Sequence, residues 1–214
     1  MDSSSTIVFI DFEGSTRTGI VEYGIAVWKS GQITDTHTRL CKPRESLTMA
    51  DTHLYGLGEC DLIGADSVAT AWELFSNLRN DAPFAAHHCV VENMLLHQVW
   101  PHGRKFPDFA TGDHCIGWGP WIDTRLIYEL LYPDLSSYKL MDLIETFQLV
   151  DKLRSEGDKH CPENRCRPHC ALYDAIASAL LFTHVSNVPE LAKWTLADWI
   201  KQPSRKDDEQ MELF

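Results

Sequence analysis

The run Ile7-Val8-Phe9-Ile10 feeds directly into Asp11-Phe12-Glu13-Gly14. Four apolar residues in succession read as a strand buried on both faces. Side chains alternate along a strand, so Asp11 and Glu13 point the same way. Two carboxylates at the end of a core strand repel each other and resist dehydration. A divalent cation held between them relieves both costs, and ligation by carboxylates alone favours a hard ion such as Mg²⁺ or Mn²⁺. A strand that ends in a polar turn would carry the same residues, so further acids must decide.

The chain is long enough, at 214 residues, for one domain with a real core, and its 44% hydrophobic content is that of a globular protein. No apolar run approaches the roughly 20 residues that span a bilayer. The start Met1-Asp2-Ser3-Ser4-Ser5 has no basic segment of the kind that opens a secretory signal. Seven cysteines, an odd number without a repeating spacing, suit reduced thiols or metal ligation better than a disulfide framework. The expected compartment is the cytoplasm. A formal net charge of −12 argues against simple electrostatic attachment to nucleic acid, which calls for an excess of Lys and Arg.

Residues 19–28 and 32–41 read as two further strands, with Lys29-Ser30-Gly31 as hairpin chemistry between them, so the chain opens with an antiparallel meander. Residues 44–65 are irregular, with a loop at Tyr55-Gly56-Leu57-Gly58. A helical period covers 67–78, a short buried strand 83–86, and a helix 89–100 with Val91, Leu95, Leu96 and Val99 inward. Residues 101–121 hold four Gly and three Pro and read as a long loop. Helices follow at 123–131 and 140–149, then a polar irregular stretch at 151–167. An Ala-rich helix at 169–182 and a last helix at 189–200 precede a charged tail. A meander followed by alternating helices and short strands implies a mixed sheet with helices packed on it.

Two more constellations supply the acids. Ala86-His87-His88-Cys89-Val90-Val91-Glu92 passes from strand to helix and sets Glu92 in an early helical turn, within reach of a metal at a neighbouring strand end. In His169-Cys170-Ala171-Leu172-Tyr173-Asp174, five helical steps separate the histidine from the acid by about 140°, so they do not share a face of a regular helix. Pro168 suits a helix start, however, which leaves His169 free to swing towards the site while Asp174 is held deeper. Ala175, Ala177, Ser178 and Ala179 allow the close packing that brings Asp174 to the strand acids.

Asp11-x-Glu13, Ala86-His87 through Glu92, and His169 through Asp174 resemble, in order and spacing, the three motifs of the DnaQ-like 3′→5′ exonucleases of the DEDDh type. Ile122-Asp123-Thr124, Tyr138-Lys139-Leu140 with Leu143, and Tyr55-Gly56-Leu57 resemble that family's intervening segments, so the likeness runs over residues 5–186. It implies a ribonuclease-H-like fold, a central mixed five-stranded sheet with an antiparallel meander, parallel strands and flanking helices. The tyrosine subtype would carry Tyr four residues before the last acid, where this chain has Cys170.

The resemblance also implies a mechanism. Asp11, Glu13, Glu92 and Asp174 would hold two Mg²⁺ or Mn²⁺ ions about 4 Å apart. His169 would act as general base on the attacking water, the role for which imidazole chemistry is suited. Backbone around Phe12 and Gly14, with the Leu57 side chain, would position the terminal nucleotide, and the product would be a nucleoside 5′-monophosphate. The chain departs from the family pattern in carrying Glu92 for Asp and His88-x-x-Val91 for Asn-x-x-Phe.

The last residues, Gln210-Met211-Glu212-Leu213-Phe214, resemble the peptide by which bacterial proteins dock on the sliding clamp. Gln210 would supply hydrogen bonds, and Met211, Leu213 and Phe214 would fill an apolar groove. Cys115, Cys161 and Cys166 are either free thiols or the ligands of a structural Zn²⁺ joining two irregular segments. Trp118 and Trp121 are the expected exposed tryptophans. The domain reading is an exonuclease domain over 1–186, a C-terminal helix over 187–201, and a flexible tail over 202–214.

The function implied is a DNA 3′→5′ exonuclease acting on single-stranded or frayed ends in proofreading or repair, recruited to the clamp. An RNA-trimming exonuclease of the same superfamily is the alternative, and a catalytically impaired nucleic-acid-binding module is the reading from another class.

Overall fold

A computed structural model describes residues 5–191 and 193–201. Strands β1 (Thr6–Ser15), β2 (Gly19–Lys29) and β3 (Gln32–Leu40) form the expected meander, antiparallel at both pairings. Ser30 at φ 51° and Gly31 at φ 86° supply the two left-handed residues that a tight hairpin following the strand twist requires. Helices α1 (Met49–Tyr55) and α2 (Trp72–Asp81) lead into β4 (Phe84–Ala86), which pairs parallel to β1. Helix α3 (Val90–Val99) and a small hairpin of β5 (Lys105–Pro107) and β6 (His114–Ile116) come next. Strand β7 (Ile122–Asp123) then pairs parallel to β4. Helices α4 (Thr124–Leu131), α5 (Leu140–Thr146), α6 (Val150–His160), α7 (Ala171–Ser186) and α8 (Leu196–Ile200) complete the chain. The main sheet has five strands in the order β3-β2-β1-β4-β7.

Alternation along β1 divides the core in two. Ile7 and Phe9 pack with α4, α5, α7 and α8, whereas Val8, Ile10 and Phe12 pack with α2, α3 and the small hairpin. By the same alternation Asp11 and Glu13 belong to the Ile7 and Phe9 face, the one that α7 covers. Helix α7 is apolar almost all round, and 13 of its 16 residues are buried, as a helix through the centre of a core must be.

The approach of α7 to the sheet is set at Gly24, which pairs with Asp11. A Cβ there would lie 2.0 Å from the Leu172 backbone nitrogen and 2.1 Å from the Ala171 carbonyl carbon. Backbone cannot yield as a side chain does, so Gly24→Ala must push the start of α7 away from β2. The expected cost is about 3 kcal/mol, read as a lowered Tm. Asp174, in the first turn of that helix, should be displaced with it.

Several segments depart from the sequence reading. The 44–65 stretch contains α1, closed by a capping box between Thr48 and Asp51 and by Gly56 at φ 61°. The polar 151–167 stretch contains α6, which buries only Leu153 and Gly157 and so shows little apolar period. The 101–121 loop contains the β5–β6 hairpin, held by buried Arg79, whose Nε donates to the Trp118 carbonyl at 2.7 Å. Trp118 is not exposed but stacked on Phe84 at 5.9 Å, and Trp121 is half-buried, its indole N–H donating to Asn93 at 3.1 Å. Val91 faces outward, 38% exposed, because the same turn of α3 turns Glu92 inward.

The last helix is two short pieces, a 3₁₀ turn at Pro189–Leu191 and α8. Leu191, Trp199 and Ile200 join the core around α7, with Val188, Trp194 and Leu196 packed against it. Among the described residues no helix is long and apolar enough to cross a membrane. The tail with Gln210, Met211, Leu213 and Phe214 lies outside the described residues.

Candidate active site

Asp11 and Glu13 reach the site from the end of β1. The ladder with β2 shifts register between Glu13 and Gly14, a bulge that turns the strand as it leaves the sheet. Gly14 permits it, since a Cβ there would lie 2.2 Å from the Gly19 carbonyl oxygen. Glu13 is 6% exposed.

Asp174 comes from the first turn of α7 and is equally buried. One of its oxygens accepts from the His169 backbone N–H at 3.1 Å, while the other, buried, has no partner among the described residues. His169 lies before the helix rather than on it, in the left-handed region at φ 61°, with Cys170 as the N-cap. The 140° offset of a continuous helix therefore does not apply. Ligand atoms of Glu13, His169 and Asp174 lie within 4.8 Å of one another.

Glu92 enters from the first turn of α3, 5% exposed, with one carboxylate oxygen buried and unpartnered among the described residues. The start of α3 is fixed by Asp123, which ends β7. Its carboxylate accepts from the backbone N–H groups of His88 at 3.1 Å and Cys89 at 2.9 Å. The same carboxylate caps α4 through Arg125 at 2.9 Å and Leu126 at 3.3 Å. His87 braces the same corner, its ring bonded to the Thr124 hydroxyl at 2.9 Å and the Tyr138 carbonyl at 2.8 Å.

Burial and mutual repulsion hold these acids far from their ordinary behaviour. Burial, then Asp174, Glu13, Glu92 and Glu22, raise the Asp11 carboxyl well above the usual range. Burial, with Asp174 and Glu22, pushes Glu13 up to about 8. Burial and the nearby Asp123 charge push Glu92 up to about 8 against the lowering effect of a backbone hydrogen bond. Asp174 rises to about 7, chiefly by burial. Glu13 and Asp174, which converge with His169, fit a hard divalent cation, whose charge lets acids ionise at neutral pH; Asp11 and Glu92 lie outside that 4.8 Å group, Glu92 with a buried oxygen unpartnered among the described residues.

Beside this cluster lies a cavity of about 340 Å³ lined by His88, Arg125, Tyr138, Lys139, His169 and Asp174. It offers cationic groups to an anionic chain passing the acids, in a protein whose overall charge is negative.

Among the other expected site residues, the Phe12 side chain packs in the core against Phe75, with ring centroids 5.9 Å apart. Leu57 is 2% exposed among Val21, Tyr55 and Leu62, so its side chain is core and offers no surface for a nucleotide. The three cysteines are not brought together. Cys115 donates to the Gly119 carbonyl at 2.8 Å beside Arg79, whereas Cys161 and Cys166 sit at the end of α6. The group able to hold a metal among the described residues is Glu13, His169 and Asp174, and it contains no cysteine.

The sequence reading missed Glu22 and Arg165 as parts of the site's frame, and it quoted His87 and Asp123 only within segments of the family likeness, without their framing contacts. Of the two missed, Glu22 carried a signal, a lone acid inside the apolar run of β2.

No family model matches the chain, and no curated protein matches it by sequence. Solved structures do. Exonuclease X in complex with 5′-overhanging duplex DNA superposes with a TM-score of 0.62 at 20% identity, over 91% of this chain and 98% of that one. The nuclease domain of 3′hExo, a DEDDh family member bound to rAMP, gives 0.59 at 16% identity, over 86% and 92%. E. coli exonuclease I with a dT13 oligonucleotide gives 0.57 at 14% identity, over 86% of this chain and 41% of that one. The chain has the ribonuclease-H-like fold that these exonucleases share, a mixed five-stranded sheet flanked by helices.

Proposed function

We propose that the protein is a divalent-metal-dependent 3′→5′ exonuclease that releases nucleoside 5′-monophosphates. The observation that carries this reading is the convergence of Glu13, His169 and Asp174 within 4.8 Å, with half-buried Asp11 two residues before Glu13 on β1 and buried Glu92 at the start of α3. Asp11, Glu13, Glu92 and Asp174 are the residues to hold the ions. Bound Mg²⁺ or Mn²⁺ would lower the pKa of water and stabilise charge on the phosphate and the leaving oxygen. The exposed His169 ring takes the proton of the attacking water, and its position outside the helix leaves it room to do so. Arg125 and Lys139 hold the backbone phosphates that approach along the cavity. The buried, unpartnered Glu92 oxygen favours a ligating role over a catalytically impaired site, despite the longer side chain.

DNA is the proposed substrate, in proofreading or repair. Two of the similar exonucleases are described with DNA and one with rAMP, so fold likeness does not choose between the sugars. The choice rests on the tail, with Gln210, Met211, Leu213 and Phe214 as the proposed sliding-clamp contacts. Tethering would raise the local concentration at DNA that a protein of net charge −12 does not attract.

Initial rates on matched DNA and RNA oligonucleotides, with Mg²⁺, Mn²⁺ or EDTA, test the substrate. Faster metal-dependent loss of DNA ends is expected, and faster loss of RNA ends would move the protein to RNA trimming. Removal of residues 210–214 should leave the rate on free oligonucleotides unchanged and abolish binding to the clamp. Equal clamp binding by the full and shortened chains would remove the recruitment proposal.

A further inference from the structure

The strongest arrangement not used by the chemistry above is a buried ion pair behind the acids. Glu22, on β2, pairs directly with Glu13 across the ladder, so both project from the same face of the sheet. Its side chain is 2% exposed, and that of its partner Arg165 is 7% exposed. The pairing is bidentate: Arg165 Nε donates to one Glu22 oxygen at 3.0 Å and Nη2 donates to the other.

Both partners also reach beyond the pair. Arg165 Nη1 donates to the Tyr55 carbonyl at 2.8 Å, at the end of α1, and Nη2 lies 3.4 Å from the His169 carbonyl. Glu22 accepts from the Ala171 backbone N–H at 3.2 Å, the first residue of α7. Two side chains thus tie β2, α1, the turn at His169 and the start of α7 into one unit. They are 143 residues apart in sequence, so neither arises from local structure.

A non-glycine residue in the left-handed region persists only where its surroundings over-determine it. At His169, φ 61°, those surroundings are the Asp174 carboxylate on the N–H and Arg165 on the carbonyl. We infer that Glu22 and Arg165 are positioning residues that hold His169 in its strained turn, and so set where its ring stands relative to Glu13 and Asp174. The inference rests on the nuclease reading for its effect on rate, but its structural half stands apart from that reading.

The test uses the full chain and compares Arg165→Lys, Glu22→Gln and the double variant Glu22→Met with Arg165→Met. Lysine keeps the charge but loses the planar fork that reaches four acceptor oxygens at once. A displacement of about 1 Å at a reacting group costs on the order of 10²-fold in rate. Arg165→Lys should therefore lower kcat by about 10²-fold with KM within about threefold of wild type. In a His169→Ala background the same substitution should cost less than about threefold, because the residue through which it acts is already gone.

The double variant removes both buried charges together, which costs less than stranding one. It should regain much of the stability lost by either single variant while kcat stays low. An equal fold-loss in both backgrounds, or kcat returning together with stability, would overturn the inference.

Amide hydrogen exchange separates this from failure of the nuclease reading. Arg165→Lys should speed exchange at Cys166, Arg167, His169, Cys170 and Ala171, with the middle of α7 unchanged. If the wild-type protein releases no nucleotides, the nuclease reading falls alone and this arm still decides. Unchanged exchange at those amides would remove the positioning role.

Discussion

Asp174→Asn should reduce nucleotide release by at least about 10³-fold while leaving the fold intact, the scale on which removing one electrostatic contact to a transition state is felt. Asparagine keeps the shape of the side chain, and its carbonyl oxygen can still accept from the His169 backbone N–H, so the turn before α7 is preserved. The second carboxylate oxygen is different. It is buried without a partner among the described residues, and replacing it by an amide puts donor hydrogens where a cation is expected. Removing one of several crowded acids also relieves repulsion, so in EDTA the variant should melt above the wild type. Loss of activity with gain of metal-free stability separates a ligand from a residue that merely supports the fold. A variant that keeps activity within about tenfold, or that melts lower in EDTA, would contradict the assignment. Asp11→Asn should behave alike, because Asp174 is the largest of the neighbouring charges that act on Asp11.

The stability of the metal-free protein should fall as pH rises from about 5 to 8, the reverse of ordinary acid denaturation. The folded state holds protons on Glu13 and Glu92 up to about 8 and on Asp174 up to about 7. The unfolded chain releases them near pH 4. Groups whose folded pKa is raised contribute fully below the unfolded value, and that contribution is lost as pH rises through the folded one. Each group changes stability by at most about 1.4 kcal/mol per pH unit in that window, and the sum is less than additive because the groups titrate together. A divalent cation that binds the ionised cluster reverses the trend. Tm in EDTA should decline towards pH 8, and the increase on adding Mn²⁺ should be larger at pH 8 than at pH 6. A metal-free Tm that climbs with pH, or a Mn²⁺ increment independent of pH, would show that these acids do not form a cation site.

Much of this site was legible in the sequence because its parts are local. Asp11 and Glu13 follow an unmistakable core strand, and Asp174 sits in a helix whose alanines announce close packing. What failed to show was of two kinds. Elements with few buried positions, such as two-residue β7 and α6 with Leu153 and Gly157, leave too little pattern to read. Long-range polar contacts leave none: nothing in the segment around Arg165 indicates Glu22, and nothing in the helix-capping character of Asp123 indicates that it also fixes the start of α3. Leu57 came into the site only through the family likeness, whereas the chain packs its side chain with Val21, Tyr55 and Leu62. Trp118 misled likewise, since the loop expected around it carries a hairpin that covers its own aromatic cluster.

The most direct test of the central claim is the fate of a 5′-labelled single-stranded DNA with a free 3′ end, beside the same strand blocked by 3′-terminal phosphorothioates. The protein with Mg²⁺ or Mn²⁺ should shorten the free strand stepwise from its 3′ end, release nucleoside 5′-monophosphates and spare the blocked strand. EDTA and Asp174→Asn should each stop it. Internal cuts, label released from the 5′ end, or equal digestion in EDTA would contradict a metal-dependent 3′→5′ exonuclease at Asp11, Glu13, Glu92, His169 and Asp174.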